Sequence, residues 1–477
     1  MSLLKRVKSL PSNFVWGGAT AAYQVEGATK IGNKGKTMWD DYLKKQGRFS
    51  PDPASDFYHL YPEDIELAKL YGLNAIRVSI SWSRIFPTGS GEPNKAGVEY
   101  YHKLFADCFA NGIEPYVSLH HFDTPKTLFD KGDWLNRDTI DKFVDYAKFC
   151  FEEFTEVNNW FTINELISLA FSQYIQGNFP PNHHFDVTSA IQAEHNELLA
   201  HARVVNLFKE GGYNGRIGLI HVISPVYPYP DNSENRHAAE IEDAFMNKFL
   251  LDGTFKGEYT PETMKLINEL LEINGATLKI EPEDMKIIKK ASSRNDYFGL
   301  NYYQPSFVEA YEGESQNTFN GTGEKGTTEF KFKGVGKHVK KPGVDQTDWD
   351  WNIYPEGLYD TLKRISQEYP NAKTIYITEN GLGYKDKYEG IGKIIDDDKR
   401  IDFIDQHVEA LLKARDEGVN VQGYFVWSLE DQFSWANGYE KRYGLFYVNF
   451  ETQAREIKKS ALWFKELGKT IKKTIDN

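Results

Sequence analysis

Eight short apolar runs, spread along almost the whole chain, constrain the fold more than any other feature of the sequence. Each run is continuously apolar rather than alternating, which is typical of parallel strands covered on both faces. The runs are residues 14–22, 74–81, 114–121, 158–164, 216–223, 296–303, 374–380 and 422–429. Segments with apolar residues three and four positions apart separate them, most clearly at residues 98–112, 138–154 and 400–418. This alternation predicts an α/β fold of the (β/α)8 TIM-barrel type.

A doubly wound parallel sheet is the alternative architecture for alternating strands and helices. It requires a glycine-rich phosphate turn after the first strand, with G-x-G-x-x-G spacing. Residues 17–27 read GGATAAYQVEG and lack that spacing, so the sequence favours the barrel.

The domain organisation follows from what interrupts the pattern. The sequence contains no internal repeat and no Pro/Ser-rich linker, so residues 1–477 are predicted to form a single barrel domain. Residues 311–348, rich in Gly, Lys, Glu and Thr, predict a surface insertion after the sixth strand, compatible with a hairpin at residues 329–339. An open loop and an active-site lid fit this composition equally well.

Charge and cysteine usage exclude several kinds of partner. The 56 Lys and Arg residues against 69 Asp and Glu give a net charge of −13, whereas nucleic-acid binding requires a basic surface. No run approaches the ~20 apolar residues of a membrane span, and none near the start resembles a signal peptide. Two cysteines exclude a disulfide scaffold and a cysteine-rich zinc site. We expect a cytoplasmic protein without nucleic-acid, membrane or metal partners, and the oligomeric state stays open.

Polar residues concentrate where the predicted strands end, which in a barrel is the mouth that holds active sites. Glu165 follows the fourth strand beside Asn164, and Glu379 ends the seventh beside Asn380. A single glutamate at a strand end is more often a structural ion-pair partner. Two carboxylates facing one mouth suit a glycosidase, because one protonates the departing oxygen while the other attacks the anomeric carbon or activates water.

A set of motifs runs in order from about residue 10 to residue 464. They are LPSNFVWGGATAAYQVEGA, RVSISWSRIFPTG, LHHFDTP, TINE, GLNYY, YITENGLG and YFVWSLEDQFSWANGYEKRYGLFYV. Together they resemble glycoside hydrolase family 1. The resemblance implies a (β/α)8 barrel, retaining β-glycosidase activity through a covalent glycosyl-enzyme, and neither a metal nor an organic cofactor.

The resemblance also implies roles for individual residues. Glu165 in TINE matches the acid/base and Glu379 in ITENG the nucleophile, with Arg77 and Tyr303 supporting the nucleophile. Leu166 stands where the family more often has proline, and we see no chemical consequence. The residues that match sugar-binding positions are Gln24, His121, Asn164, Asn301, Trp427 and Trp435.

One departure from ordinary β-glucosidases of the family concerns the far end of the sugar. Ser434 replaces the glutamate that grips the outer hydroxyls, and Ser434, Lys441 and Tyr443 resemble the phosphate-binding signature of the 6-phospho-β-glycosidases. A glutamate would repel a phosphate, whereas serine and tyrosine offer donors and lysine a positive charge. Trp435, which follows Ser434, resembles the residue found at this position in the members that act on 6-phospho-β-galactosides. This resemblance implies a phosphorylated disaccharide, lactose 6-phosphate, as substrate.

Three other functions remain open on the sequence alone. A 6-phospho-β-glucosidase or dual 6-phospho-β-glycosidase would share the phosphate residues. A plain β-glucosidase requires a carboxylate where Ser434 stands. A non-catalytic sugar-phosphate-binding barrel would tolerate the loss of either glutamate, and both are present.

Overall fold

The computed structural model describes residue 7 and residues 10–472. In this part of the chain, eight parallel strands pair in sequence order and close into a barrel, since the first strand pairs with both the second and the eighth. The strands are β1 Val15–Ala19, β2 Ala75–Ser79, β3 Glu114–His120, β4 Asn159–Asn164, β5 Arg216–Val222, β6 Tyr297–Asn301, β7 Ile375–Asn380 and β8 Val421–Trp427. Each lies within or one residue beyond its predicted run, so the predicted (β/α)8 fold is confirmed.

Helices surround the strands and bury one face against them. The longer ones are Met38–Gln46, Phe57–Leu70, Lys95–Ala110, Arg137–Glu153, Leu166–Tyr174, Val187–Gly211, Ser233–Asp243, Pro261–Ile273, Pro282–Ala291, Pro355–Glu368, Asp398–Asp416 and Lys459–Lys472. Shorter helical segments are Ala22–Val25, Ile31–Asn33, Trp82–Ile85, Lys126–Phe129, Asp133–Leu135, Ala244–Lys248, Phe249–Leu251 and Asp252–Lys256.

The three helices predicted from periodicity are present, with ends displaced by one to three residues. The helix Lys95–Ala110 stops before Gly112, whose φ of +68° lies in the left-handed region that favours glycine. Helix ends depend on such turn residues more than on the apolar pattern.

The barrel interior is filled by side chains. A buried cluster of large residues, contributed by different strands, contains Tyr116, Phe161, Tyr297, Tyr376 and Phe425. Gly17 in β1 is necessary there, because a Cβ at that position would lie 2.5 Å from the Phe425 ring. The barrel is thus a packed core, which leaves only the strand ends for a site.

A second, five-stranded sheet lies beside the mouth. Its strands, in spatial order, are Val226–Pro228, Ser306–Glu309, Gly336–His338, Glu329–Phe332 and Gln316–Thr318. The predicted hairpin is present, since Glu329–Phe332 pairs antiparallel with Gly336–His338. Phe330 and Phe332 are buried against Phe171, Phe185 and Phe245. The segment 311–348 therefore contains paired strands whose phenylalanines pack against rings of the barrel's surrounding helices.

The remaining sheet pairs Phe446–Val448 with Arg455–Ile457. Cys108 and Cys150 are both buried and free. Over the residues that the structure describes, no helix is both long and apolar enough to cross a membrane.

Candidate active site

The ends of β4, β6 and β7 bring the two predicted glutamates together around Asn301. Asn301 is the register partner of Glu379, and its side-chain amide donates to Glu165 Oε1 at 2.6 Å. Thr378 Oγ1 donates to Asn301 Oδ1 at 2.6 Å, which fixes the orientation of that amide. The backbone therefore determines the relative position of the two carboxyl groups.

Both oxygens of the Glu379 carboxylate accept hydrogen bonds from side-chain donors. The Arg77 guanidinium, on β2, pairs with Oε1, and the Tyr303 hydroxyl donates to Oε2 at 2.6 Å. Arg77 also donates to Asn164 Oδ1 at 3.4 Å. A carboxylate held by a cation and a hydroxyl is oriented as an attacking group requires.

Glu165 lies in different surroundings. Only 7% of the residue is exposed, and it has no cationic hydrogen-bond partner among the described residues. Burial, together with the neighbouring Glu379 carboxylate, raises the pKa of Glu165 to about 7. A neutral Glu165 is able to donate a proton near neutral pH, whereas Glu379 is held by a cation and a hydroxyl, so the two carboxyl groups differ as a general acid and a nucleophile would.

Flat and neutral side chains line the side of the cavity next to β1, β3 and β8. His121 stacks on Trp427 with ring centroids 5.7 Å apart, and its Nε2 faces the Asn164 amide at 3.3 Å. Burial keeps the pKa of His121 well below its ordinary value. Gln24 donates to the Phe433 carbonyl at 2.7 Å, which leaves its Oε1 without a protein partner as an acceptor.

Trp435 is fixed by other rings. Its indole stacks on Trp39 at 4.6 Å, on Tyr23 at 5.9 Å and near His121 at 6.3 Å. An aromatic face and fixed polar groups in one wall are typical of sugar sites, where hydroxyls are hydrogen-bonded and a ring face is stacked.

The far end of the cavity holds a buried lysine. Lys441 is 2% exposed, and its Nζ lies 3.6 Å from the centroid of the Trp351 ring and 5.5 Å from that of Tyr443. Within residues 10–472 no carboxylate forms an ion pair or hydrogen bond with it. Burial holds the pKa of Lys441 well below its ordinary value. The unpaired amine thus suits an anionic ligand, because a negative charge beside it would favour its charged form.

One cavity of about 480 Å³ connects these groups. The predicted residues that line it are Gln24, His121, Glu165, Tyr303, Glu379, Trp427, Ser434, Trp435, Lys441 and Tyr443. The other three, Arg77, Asn164 and Asn301, lie behind the wall and contact the lining residues. The Asn301 amide already forms hydrogen bonds with Glu165 and Thr378, through which it positions the Glu165 carboxyl group.

Sequence reasoning missed several cavity residues, and three of them lie where a ligand could use them. Trp349 and Trp351 follow the 311–348 segment and line the cavity next to Lys441. Gln432 is buried, and neither polar atom of its side chain has a protein partner. The closely spaced pair W-D-W was the available signal for the tryptophans, whereas nothing in the sequence distinguishes Gln432.

Among the described residues, no group of three or more His, Cys, Asp and Glu side chains is arranged to hold a metal ion.

A sequence model of Glycosyl hydrolase family 1 matches residues 6–473. The chain belongs to glycosyl hydrolase family 1. The family resemblance seen in the motifs is therefore confirmed, and the protein is a glycoside hydrolase by descent.

Relatives within the family cover nearly the whole chain. The protein named 6-phospho-beta-galactosidase 1 of Streptococcus pneumoniae serotype 4 is 56% identical over 463 residues, which are 97% of this chain and 98% of that protein. The 6-phospho-beta-galactosidase of Staphylococcus haemolyticus is 53% identical, covering 97% and 99% of the two chains. The family 1 β-glucosidase structure from Thermotoga maritima superposes with a TM-score of 0.86 at 34% identity, covering 97% of this chain and 98% of that one.

Proposed function

We propose that this protein is a retaining glycoside hydrolase that cleaves 6-phospho-β-galactosides. The observation that carries the proposal is the buried Lys441 ammonium, which has no carboxylate partner in the described chain and lies in the wall of the cavity that holds Glu165 and Glu379. A buried cation without a counter-charge is costly, and an anionic substrate group supplies one. The names of relatives 53–56% identical to this chain support the same substrate class.

In the first step, a Glu379 oxygen attacks the anomeric carbon while Glu165 gives its proton to the departing glycosidic oxygen. The bond from carbon to the leaving group breaks, and an ester bond between the sugar and Glu379 forms. Arg77 and Tyr303 hold the carboxylate during the attack.

In the second step, the ester has removed the negative charge of Glu379, and that charge is one of the causes that raise the pKa of Glu165. Glu165 therefore ionises more readily and accepts a proton from water. The water oxygen attacks the anomeric carbon, the ester bond breaks, and Glu379 is restored. Two displacements retain the anomeric configuration.

The phosphate end selects the substrate. Lys441 supplies the positive charge, and the Ser434 and Tyr443 hydroxyls are donors in the same wall. A hydrogen bond to a charged group contributes about 1.5–3 kcal/mol. Two such bonds separate a phosphorylated sugar from a plain one by about two to four orders of magnitude.

Galactose is the proposed sugar, because Trp435 presents a fixed ring directly after Ser434. With glucose as the leaving group, the natural substrate is lactose 6-phosphate and the products are galactose 6-phosphate and glucose. A sugar phosphate does not cross a bilayer, since burying its charge is too costly. We therefore place the enzyme in the cytoplasm, where such a substrate is retained.

A kinetic panel tests this proposal: aryl β-galactosides and β-glucosides, each with and without the 6-phosphate. We expect the 6-phosphogalactoside to have the highest kcat/KM, at least about a hundredfold above plain galactoside. Lys441→Ala should remove most of that difference. Lys387→Ala, a substitution of an 86% exposed lysine, serves as the matched control.

Equal rates on plain and phosphorylated galactosides would refute the proposal. A preference for the 6-phosphoglucoside would leave the phosphate site intact and make the enzyme a 6-phospho-β-glucosidase. Similar rates on both phosphorylated sugars would indicate dual activity.

A further inference from the structure

Trp349 lines the cavity, and its one polar atom has no partner in the protein. The residue is 2% exposed, and the indole Nε1 is buried without a hydrogen-bond acceptor among the described residues. Buried N–H groups are nearly always paired, so an unpaired one in a cavity wall points to an acceptor brought by the ligand.

The indole ring lies at the phosphate end of the cavity. The Lys441 Nζ is 5.3 Å from the Trp349 ring centroid, and a second ammonium, that of Lys385, is 5.5 Å from it. Lys385 donates to the Gly323 carbonyl and forms no ion pair with a carboxylate within residues 10–472. Two cations next to one ring favour an anion nearby and withdraw electrons from the indole, which strengthens its N–H as a donor.

Neighbouring backbone fixes the orientation of this ring. Thr347 Oγ1 accepts hydrogen bonds from the backbone N–H groups of Trp349 at 3.2 Å and Trp351 at 3.1 Å. Gly323 packs closely against the indole, since a Cβ there would lie 2.8 Å from Trp349 Cε2, the carbon bonded to Nε1. A donor held this way loses little freedom on binding, and preorganised groups select ligands well.

A phosphate group has three terminal oxygens, and each can accept more than one hydrogen bond, so Lys441, Ser434 and Tyr443 leave room for a further donor. We propose that Trp349 is a further phosphate-recognition residue, whose Nε1–H donates to a phosphate oxygen of the bound 6-phosphosugar. This inference rests on the proposed function and extends it. It makes Trp349 a specificity determinant, because the N–H acts only when the phosphate is present.

The test compares the wild-type enzyme with Trp349→Phe, which keeps a ring next to Lys441 but lacks the N–H. Calorimetry measures the affinity for galactose 6-phosphate and for galactose. We expect Trp349→Phe to weaken galactose 6-phosphate about 10- to 100-fold and to leave galactose unchanged. Trp134→Phe is the matched control, because Trp134 is also buried with an unpaired Nε1 but does not line the cavity.

A second measurement uses the unmodified protein, so it does not depend on the stability of the variant. With ¹⁵N-labelled tryptophan, the Trp349 indole N–H resonance should move downfield on addition of galactose 6-phosphate and stay in place with galactose. The resonance is assigned by its absence in Trp349→Phe or in Trp349→Tyr.

The outcomes separate this inference from the function on which it rests. Wild-type preference for galactose 6-phosphate with an unchanged Trp349→Phe affinity overturns the inference alone. Equal weakening of both ligands also overturns it, because the ring would then only shape the cavity. If the wild-type enzyme binds both ligands equally well, the proposed function fails and this inference fails with it.

Discussion

Glu165 and Glu379 are chemically identical side chains in one cavity, and their neighbours separate their roles. Glu379 is held by Arg77 and Tyr303, whereas Glu165 has the Asn301 amide and the apolar wall. The environment of a carboxyl group, more than its identity, decides whether it donates a proton or attacks.

This asymmetry predicts the pH dependence of catalysis. Burial and the Glu379 charge raise the pKa of Glu165 to about 7, so its neutral, proton-donating form is lost as the pH rises through 7. With a poor leaving group, kcat/KM should fall on the alkaline side of pH 7. A dinitrophenyl leaving group needs no proton. The kcat/KM of the dinitrophenyl substrate, divided by that of the substrate with the poor leaving group, should therefore rise with pH.

The ratio of the two substrates is the quantity to measure, because any change in phosphate or Lys441 ionisation affects both equally. A ratio that is constant between pH 6 and pH 9 would contradict the assignment of Glu165 as the acid.

The residues of the site differed in how far the sequence predicted them. Glu165 and Glu379 end continuous apolar runs, so their place at the mouth followed from strand geometry alone. Trp349 could not be assigned a role, because its contact with Lys441 joins two loops almost a hundred positions apart. The contact of Asn301 with Glu165 could not be predicted either, because it joins the ends of β4 and β6, which are separated by β5 in the barrel.

At the scale of elements, buried strands were the easiest part to predict, because covering both faces leaves a continuous apolar signature. The five-stranded sheet beside the mouth has only a weak apolar signature in the sequence. Its strands are three or four residues long, and Gln316–Thr318 is polar throughout, so only pairing with Glu329–Phe332 defines it as a strand.

Two loops together position the phosphate end. Tyr384, after β7, forms an antiparallel bridge with Arg442, after β8, through backbone hydrogen bonds of 2.9 and 3.1 Å. Gly383 lies next to that bridge, and a Cβ there would be 2.6 Å from Lys441 Cε and 2.8 Å from the Tyr443 ring. The absence of a side chain at Gly383 makes room for Lys441 and Tyr443, the residues that we propose to bind the phosphate.

Gly383→Ala should therefore displace Lys441 and Tyr443. We expect kcat/KM for the 6-phosphogalactoside to fall about tenfold or more, with a much smaller change for the plain galactoside. Gly321→Ala is a suitable control, since its Cβ would meet no atom closer than 3.6 Å. Equal losses on both substrates in Gly383→Ala would show that the loop does not act through the phosphate end.

At the scale of the whole molecule, the long helix Val187–Gly211 places two acids in the interior. Glu194 and Glu197 are fully buried, and their carboxyl oxygens have no hydrogen-bond partner in the described chain. Burial raises the pKa of both well above the ordinary value. Each group therefore keeps its proton to a higher pH in the folded state than in the unfolded chain.

Because the pKa of each group is higher in the folded state than in the unfolded chain, the folded state is favoured most below about pH 4.5. This contribution to stability is lost as the pH rises. Each group lowers the free energy of unfolding by up to about 1.4 kcal/mol per pH unit. The double variant Glu194→Gln, Glu197→Gln should show a shallower decline between pH 5 and pH 8 in urea titrations. An unchanged slope of the free energy of unfolding against pH would contradict the raised pKa values of these two carboxyl groups. Glu234→Gln, at an exposed position, is the control.

The most direct test of the whole account is to trap the glycosyl-enzyme. A 2-deoxy-2-fluoro-β-galactosyl fluoride 6-phosphate should form an ester with the enzyme that is hydrolysed only slowly. Mass spectrometry of the digested protein can then locate the ester. We predict one sugar phosphate on the peptide that contains Glu379, formed at least about a hundred times faster than with the unphosphorylated reagent. An adduct on any other residue, or equal rates with both reagents, would contradict the account.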